Sequence, residues 1–505
     1  MAELKIGGLH RLVGMPTEVL YQMVRAFSES AKVPLLFSGD MEFNSFSKIN
    51  DGSEFPGPLN VAATGEPANA RKMGLIAALE GSALGFNWNF GPVVDIIRHH
   101  HSAIVSTRAY SDDTETIIRF AEEYVQAMQE NGMIACAKHW PGDGVDYRDQ
   151  HLVTSCNALD MATWRATYGK IYKALIEAGI KTVMSAHITL PACDREVQPN
   201  ISAENILPGS INKHLNIKLL REELGFNGLI ISDATPMAGL RSMGKEADIL
   251  PLVIENGCDM YLFANDNREE FDLLLRSAQS GKISEARLEE SVLRVLGLKA
   301  SIKLHQKEYP SIDTVKRTLD SAERKTWGKQ VADDSITLVK DTQNLLPLDR
   351  QKHRRILLIE SQPLSVFGAE AAHLEFASLL ESEGFTILRM EAGTVVDPVL
   401  FDAVIYLLDQ KEFFGFGSFR MQWGPLHGGG PLQGMARYWH EIPTLMISVN
   451  NPFHLYDAPR VKTYINAYSS LPIVQQALVE KLLGRSPFKG RSPFDPYCGL
   501  EEASL

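Results

Sequence analysis

From residue 4 to about residue 300, short apolar runs of strand length alternate with longer stretches of helical spacing. That alternation is the mark of a parallel sheet whose crossovers are helices. The strand candidates are Leu4–Leu9, Pro34–Phe37, Phe86–Val94, Met133–Ala137, Thr182–Ser185, Gly228–Ile231 and Met260–Phe263. The clearest helix spans 112–131, where Ile117, Phe120, Ala121, Tyr124, Val125 and Met128 share one face. Asp112 with Glu115 can cap its start, and Gly132 follows its end. The expected fold over residues 1–302 is a TIM-type (β/α) barrel. Seven strands are readable where such a barrel has eight. The missing strand–helix unit belongs ahead of residue 4, so the expectation is a barrel trimmed at its start or closed in an unusual way.

The polar residues fall where the strands end. Asp40 follows PLLFSG, Asp95 follows NFGPVV, Lys138 and His139 follow MIACA, His187 follows TVMSA, Asp233 follows GLIIS, and Asn265 follows MYLFA. One Asp after a strand is ordinarily a turn former or a helix cap. Several such ends at once are different, because in a parallel barrel they all open on the face where catalysis takes place.

Residues 303–335 are charged and helical in pattern and are expected to link the barrel to a second unit, 336–505. Its strand candidates are Arg355–Ile359, Thr386–Arg389, Ala403–Leu408, Thr444–Val449 and Thr463–Ala467, with helical stretches at 369–384 and 473–484. This predicts a smaller α/β open-sheet domain. The tail from Gly484 is rich in Gly, Pro and Ser and is expected to wrap the surface. A chain of 505 residues is long enough for two such cores.

Composition removes several classes of function. The net charge of −12, with both signs interspersed, supplies no basic face for nucleic acid or for an anionic membrane. No apolar run approaches the length of a membrane span, and MAELKIGGLHRLVGMP lacks the apolar core of a secretory signal. The five cysteines are scattered without a C-x-x-C pair, which suits a reducing compartment and argues against a zinc site. The expected location is the cytoplasm. No G-x-G-x-x-G follows a strand, so a dinucleotide enzyme is not indicated.

The densest chemistry lies in K-H-W-P-G-D-G-V-D-Y-R-D-Q-H, Lys138 to His151. This loop, broken by Pro and Gly, carries two histidines, one lysine and three carboxylates. In Asp149-x-His151 a carboxylate can accept one imidazole N–H, fix the tautomer and ready the other nitrogen for proton transfer; a solvated histidine beside an unrelated Asp is the plainer alternative. His139 and His151 have no third ligand at suitable spacing, so no metal is expected. The run His99-His100-His101 is expected to face solvent. The second dense stretch is G-L-I-I-S-D-A-T-P-M, Gly228 to Met237. An Asp at the end of a buried strand must be satisfied by hydrogen bonds or do chemistry. A retaining glycosidase needs a carboxylate so placed, under the anomeric carbon.

With these motifs the chain resembles glycoside hydrolase family 3, in its β-N-acetylglucosaminidase branch. The family loop K-H-F-P-G-H-G followed by D-S-H is matched by Lys138–Gly144 and then Asp149-Gln150-His151. Ser232-Asp233-Ala234-Thr235-Pro236-Met237 is similar to the branch's nucleophile motif. Further matches are Pro34 to Asp40, Asn89 to Asp95, Ser106 to Asp113, Met184 to Ile188, Ser335–Leu348 and Asn451–Ser469. The resemblance implies a retaining exo-β-N-acetylglucosaminidase acting on peptidoglycan- or chitin-derived oligosaccharides, with no cofactor and no metal. It implies Asp233 as nucleophile and Asp149–His151 as acid/base dyad. Asp40, Arg108, Lys138 and His139 are implied as the residues gripping sugar hydroxyls. Ala234 and the retained D-x-H separate the chain from the β-glucosidase branch, which has S-D-W.

Three departures stand out. Asp143 replaces a usual His, Gln150 replaces Ser, and Met41-Glu42-Phe43-Asn44 replaces Gln/His-Glu-Gly-Gly, whose glycines let backbone approach the ligand. Three other readings stay open: another exo-β-glycosidase, an N-acetylglucosaminide phosphorylase, and a non-catalytic sugar-binding relative.

Overall fold

The structure is a computed structural model, and it describes residues 4–10, 15–43, 49–102, 104–361, 374–411 and 419–505. The first half is a curled parallel sheet wrapped by helices. Its strands are β1 (Gly8–His10), β2 (Leu36–Gly39), β3 (Trp88–Asn89), β4 (Ile134–Trp140), β5 (Ser155–Cys156), β6 (Thr182–Ser185), β7 (Ile188–Thr189), β8 (Leu229–Ala234) and β9 (Met260–Leu262). Seven of them pair side by side, all parallel, in the order β1-β2-β3-β4-β6-β8-β9; β5 and β7 form a separate short pair. The curl brings the edges together through side chains. A Cβ on Gly7 would stand 2.9 Å from Met260 Cε, and the His10 and Phe263 rings lie 5.2 Å apart. Seven readable strands were expected, and this sheet has seven.

Period-two alternation decides what faces inward. Leu36, Trp88, Phe90, Ile134, Cys136, Met184, Leu229, Ile231 and Leu262 form one interior cluster, closed by Val295 and Leu298 of the helix Glu285–Ser301. Phe37, Ala135, Val183 and Ile230, the alternate residues, join the core under the helices. Continuing the inner series by two places Lys138 after Cys136 and Asp233 after Ile231. The helix expected at 112–131 runs Thr114–Glu130; its N-cap is Asp113, which accepts from the Thr116 N–H at 2.8 Å. Gly132 follows at φ +78.

The second sheet comprises β10 (Thr337–Asp341), β11 (Arg355–Glu360), β12 (Thr386–Arg389), β13 (Ala403–Leu408), β14 (Thr444–Ser448) and β15 (Thr463–Asn466), in the order β10-β15-β14-β13-β11-β12. The middle strands are parallel and near-continuously apolar because both faces are covered. Ile356, Leu358 and Ile405 meet the helices Ala322–Ser335 and Pro472–Leu482, while Leu357, Val404 and Tyr406 meet the other layer. β10 is antiparallel to β15 and was absent from the expected strands. The start of the expected helix at 369–384 falls in 362–373, which lies outside the described residues; beyond it the observed helix is Phe376–Ser382.

The halves meet along a seam of Leu59, Ile97, Val105, Phe453, Tyr468 and Phe494. Asn60 Nδ2 donates across it to Ser335 Oγ (2.9 Å) and to the Ala467 carbonyl (2.8 Å). The tail wraps as expected: Arg491 N donates to the Ala63 carbonyl, Asp495 N to Asp112 Oδ2, and Tyr497 Oη to the Val339 carbonyl. The three consecutive histidines are only partly exposed, which corrects the expectation that they face solvent. Tyr456 of the second unit packs on two of them, with His100 and His101 4.1 and 4.6 Å from its ring, and His99 lies 5.0 Å from Tyr147 of the barrel. Among the described residues, neither His100 Nε2 nor His101 Nε2 has a hydrogen-bond partner.

Burial, reinforced by the other two imidazoles and by Arg420 against the weaker pull of Asp457, lowers His100 to about 4. Burial also lowers His101, and it lowers His454 to about 3. The unfolded chain takes up these protons near the ordinary histidine value of about 6.5, before the folded chain does. Stability is therefore expected to fall as pH drops from about 6.5 toward 4. Thermal melts at pH 7 and pH 5 check this, and His100→Gln is expected to flatten the dependence.

Candidate active site

The charged residues of the barrel mouth sit at the ends of the inner strands and neutralise one another. Lys138 Nζ, on β4, lies 2.7 Å from Asp40 Oδ1 and 2.6 Å from Glu42 Oε1. Glu42 also takes a two-pronged contact from Arg108, Nε to Oε2 at 2.7 Å and Nη2 to Oε1 at 2.9 Å. Burial by itself would raise the Glu42 carboxyl, but Arg108 and Lys138 outweigh it and hold the group far below the usual carboxylate range. Burial opposes the charge on Arg108 and Lys138 as well, and the facing carboxylates restore it, so both are raised.

His139 points its Nδ1 at Asp95 Oδ2 (2.7 Å), and its Nε2 lies 3.5 Å from Arg108 Nη2. Asp95 Oδ1 accepts two backbone N–H groups, from His139 at 3.1 Å and Asp143 at 2.8 Å. One carboxylate thus pins the start of the Lys138–His151 loop. Asp143 is itself buried. Burial first, then neighbouring Asp95, push its carboxyl well above the usual range. Gly144 turns the loop at φ +99, and a Cβ there would fall 2.0 Å from the Ile96 carbonyl oxygen.

The far end of the loop carries the expected dyad. His151 Nδ1 lies 2.7 Å from Asp149 Oδ1, which also accepts the His151 backbone N–H at 2.8 Å. Asp149 is fully buried, while the His151 ring is partly exposed. Two bonds tie this segment to the strand ends beyond it. Gln150 Oε1 accepts from the His187 N–H (3.0 Å), and the Ala238 N–H donates to the His151 carbonyl (3.0 Å). The approach requires glycine at 239, where a Cβ would come within 2.2 Å of the Gln150 carbonyl oxygen.

Asp233 closes the arrangement. It is 8% exposed at the end of β8, and its Oδ1 accepts the Ala234 N–H at 2.7 Å. Burial would raise it; the imidazoles of His139, His187 and His151 and the Ala234 N–H together hold it below the ordinary value. His187 is fully buried between Ser210 Oγ (2.8 Å from Nδ1) and the Ala234 carbonyl (2.9 Å from Nε2), and burial lowers it.

All seven site residues expected from sequence (Asp40, Arg108, Lys138, His139, Asp149, His151 and Asp233) lie at this one mouth. Asn265 does not join them: it is exposed, and its N–H is engaged by Glu270. Sequence reading assigned no role to Glu42 or Asp95, the two carboxylates that organise the cations and His139. Asp95 stood among the strand-end residues, and Glu42 lies two places past Asp40. Phe43, at the lost glycine pair, adopts φ +59 without glycine and packs its ring against Phe55. Among the described residues no group of three or more His, Cys, Asp or Glu is placed to hold a metal, and no helix is long and apolar enough to cross a membrane.

Residues 5–298 match the model of the glycosyl hydrolase family 3 N-terminal domain. A β-N-acetylglucosaminidase/β-glucosidase of Cellulomonas fimi is 37% identical over 495 residues, spanning 95% of this chain and 87% of that protein. The solved structure of the β-glucoside phosphorylase BglX superposes with a TM-score of 0.93 at 37% identity, over 98% of this chain and 90% of the other. A β-N-acetylglucosaminidase from Paenibacillus sp. FPU-7 shares the fold, with a TM-score of 0.82 at 23% identity over 98% and 94% of the two chains.

Removing Glu42 takes the carboxylate from largely buried Arg108 and leaves Lys138 with Asp40 alone. Glu42→Ala is expected to destabilise the protein by about 3 kcal/mol, and Glu42→Gln by less, read from urea midpoints.

Proposed function

The chain belongs to glycoside hydrolase family 3, and from that premise we propose that it is a retaining exo-β-N-acetylglucosaminidase with Asp233 as nucleophile and Asp149–His151 as acid/base. One observation carries this reading. Asp233 is a buried carboxylate kept ionised by imidazoles, at the same mouth onto which the Asp149–His151 loop is docked.

The chemistry follows from the placement. A carboxylate oxygen of Asp233 attacks the anomeric carbon as the bond to the leaving oxygen breaks. The protonated His151 ring gives its Nε2 proton to that oxygen while Nδ1–H stays on Asp149. A glycosyl-enzyme ester results. Water then attacks the same carbon, gives a proton back to His151 and frees Asp233, so two inversions retain the configuration. Asp40, Arg108, Lys138 and His139 are the groups that hold the sugar hydroxyls. The substrates are terminal β-linked N-acetylglucosamine units of peptidoglycan- or chitin-derived oligosaccharides. The chemistry belongs to residues 1–302, with 303–335 as linking helices and 336–505 as the bordering unit.

One feature favours a second acceptor. A neutral imidazole, unlike a second carboxylate, does not repel an incoming anion, so phosphate in place of water would yield the sugar 1-phosphate. The kinship with a β-glucoside phosphorylase supports testing it.

Asp233→Ala is expected to abolish release of aryl alcohol from an aryl β-N-acetylglucosaminide while leaving the fold intact by circular dichroism. Unaltered turnover would remove Asp233 from the role. His151→Ala and Asp149→Asn are expected to lose roughly 10²–10⁴ in kcat with poor leaving groups and far less with dinitrophenolate, which needs no proton. Product analysis in phosphate and in phosphate-free buffer separates hydrolysis from phosphorolysis.

A further inference from the structure

One side chain at the mouth is unaccounted for by this chemistry. β9 ends at Leu262, and the next residue, Phe263, holds φ at +60 with 43% of its surface exposed. A bulky aromatic residue seldom takes left-handed backbone, and where it does the surrounding structure must fix it there. Here the fixing groups belong to the segment that carries Asp233. Leu262 N donates to Ser232 Oγ (3.0 Å), Thr235 N donates to the Leu262 carbonyl (2.9 Å), and Thr235 Oγ1 donates to the Phe263 carbonyl (2.9 Å). The register pairs Ala234 with Leu262, so Phe263 leaves the sheet one residue beyond the partner of Asp233's neighbour.

On its other side the Phe263 ring meets His10 nearly at right angles, at 5.2 Å. His10 ends β1 opposite Ser38 and lies flat against Phe90, at 5.2 Å. Its Nε2 is 3.5 Å from Asp40 Oδ2. The exposed ring therefore stands where the sheet's edges meet, with Asp233 on one side and the His10–Asp40 pair on the other. Ala234 offers only a methyl group beside the carboxylate, so β9 brings aromatic surface to that side of the mouth.

The geometry points to Phe263 as a specificity-determining residue: an apolar platform for the C–H face of the pyranose bound over Asp233, held at a fixed angle by His10. A pyranose presents polar edges and an apolar face, and ligand pockets pair such faces with aromatic rings while a few polar groups set orientation. Asp40, Lys138 and Arg108 supply the polar edge and Phe263 the face. The inference rests on the glycosidase reading above.

The test is steady-state turnover of an aryl β-N-acetylglucosaminide by the full chain and by Phe263→Ala, Phe263→Leu and Phe263→Trp. Loss of the ring is expected to raise KM about tenfold, with a smaller change in kcat, the size of one aromatic contact. Leu, which keeps bulk without a flat face, should behave like Ala; Trp should return KM toward the wild-type value. A KM unchanged in Phe263→Ala, or restored by Phe263→Leu, overturns the platform while leaving the glycosidase reading untouched. A wild-type protein that turns over no aryl glycoside fails that reading and takes this inference with it.

Discussion

Glu42 is the pivot of the barrel mouth. It sits between Arg108 and Lys138, and Lys138 in turn reaches Asp40. Each of these charges would be expensive to bury alone, and none is stable there without the others. The consequence is geometric. The segment after β2, the short turn carrying Arg108 and the end of β4 cannot shift independently without stranding a charge. On the proposed reading, hydrogen-bonding groups for a sugar are thereby set in place before it arrives, so little reorganisation is left to oppose binding.

From that fixed floor a single loop crosses to the opposite wall. Asp95 holds its start by accepting the N–H groups of His139 and Asp143, and Gln150 and Gly239 settle its end against His187 and the turn after β8. The Asp149–His151 pair thus stands on a segment pinned at both ends. Gln150, a departure from the family's usual Ser, is part of that pinning rather than a loss. Positioning of this kind is worth more to a reaction than the identity of the groups alone, because misplacement by an ångström costs orders of magnitude in rate.

Much of this was legible in the chain, for reasons that can be named. The strands of the barrel are buried on both faces and so read as apolar runs, and their carboxyl ends are where polar residues begin. Asp233 and Lys138 therefore declared themselves by position. Pairings between distant residues did not. Nothing in the spacing of Asp95 and His139, 44 residues apart, announces that one will accept from the other. Glu42 was hidden because its partners Arg108 and Lys138 are distant in the chain, and Phe43 reaches left-handed backbone through packing on Phe55, which no local rule foresees. The three consecutive histidines were misplaced because Tyr456, more than three hundred residues on, packs against His100 and His101. β10 went unread because it is a lone antiparallel edge strand that directly follows a helix.

The balance of charge bears on why a histidine, not a carboxylate, faces Asp233. The mouth already holds Asp40, Glu42, Asp95, Asp149 and Asp233 against the cations Arg108 and Lys138. Asp143 shows the direction of the effect of adding one more: burial, then the charge of Asp95, push its carboxyl well above the usual range. A further carboxyl near Asp233 would meet the same penalty and would raise the proton affinity of Asp233, working against the ionised state that its proposed role requires. An imidazole avoids this. Its positive form lowers Asp233, and in the proposed reaction its neutral form would leave no second negative charge behind. The buried Asp149 holds the ring's Nδ1, so in the proposed reaction the imidazole changes charge without changing place.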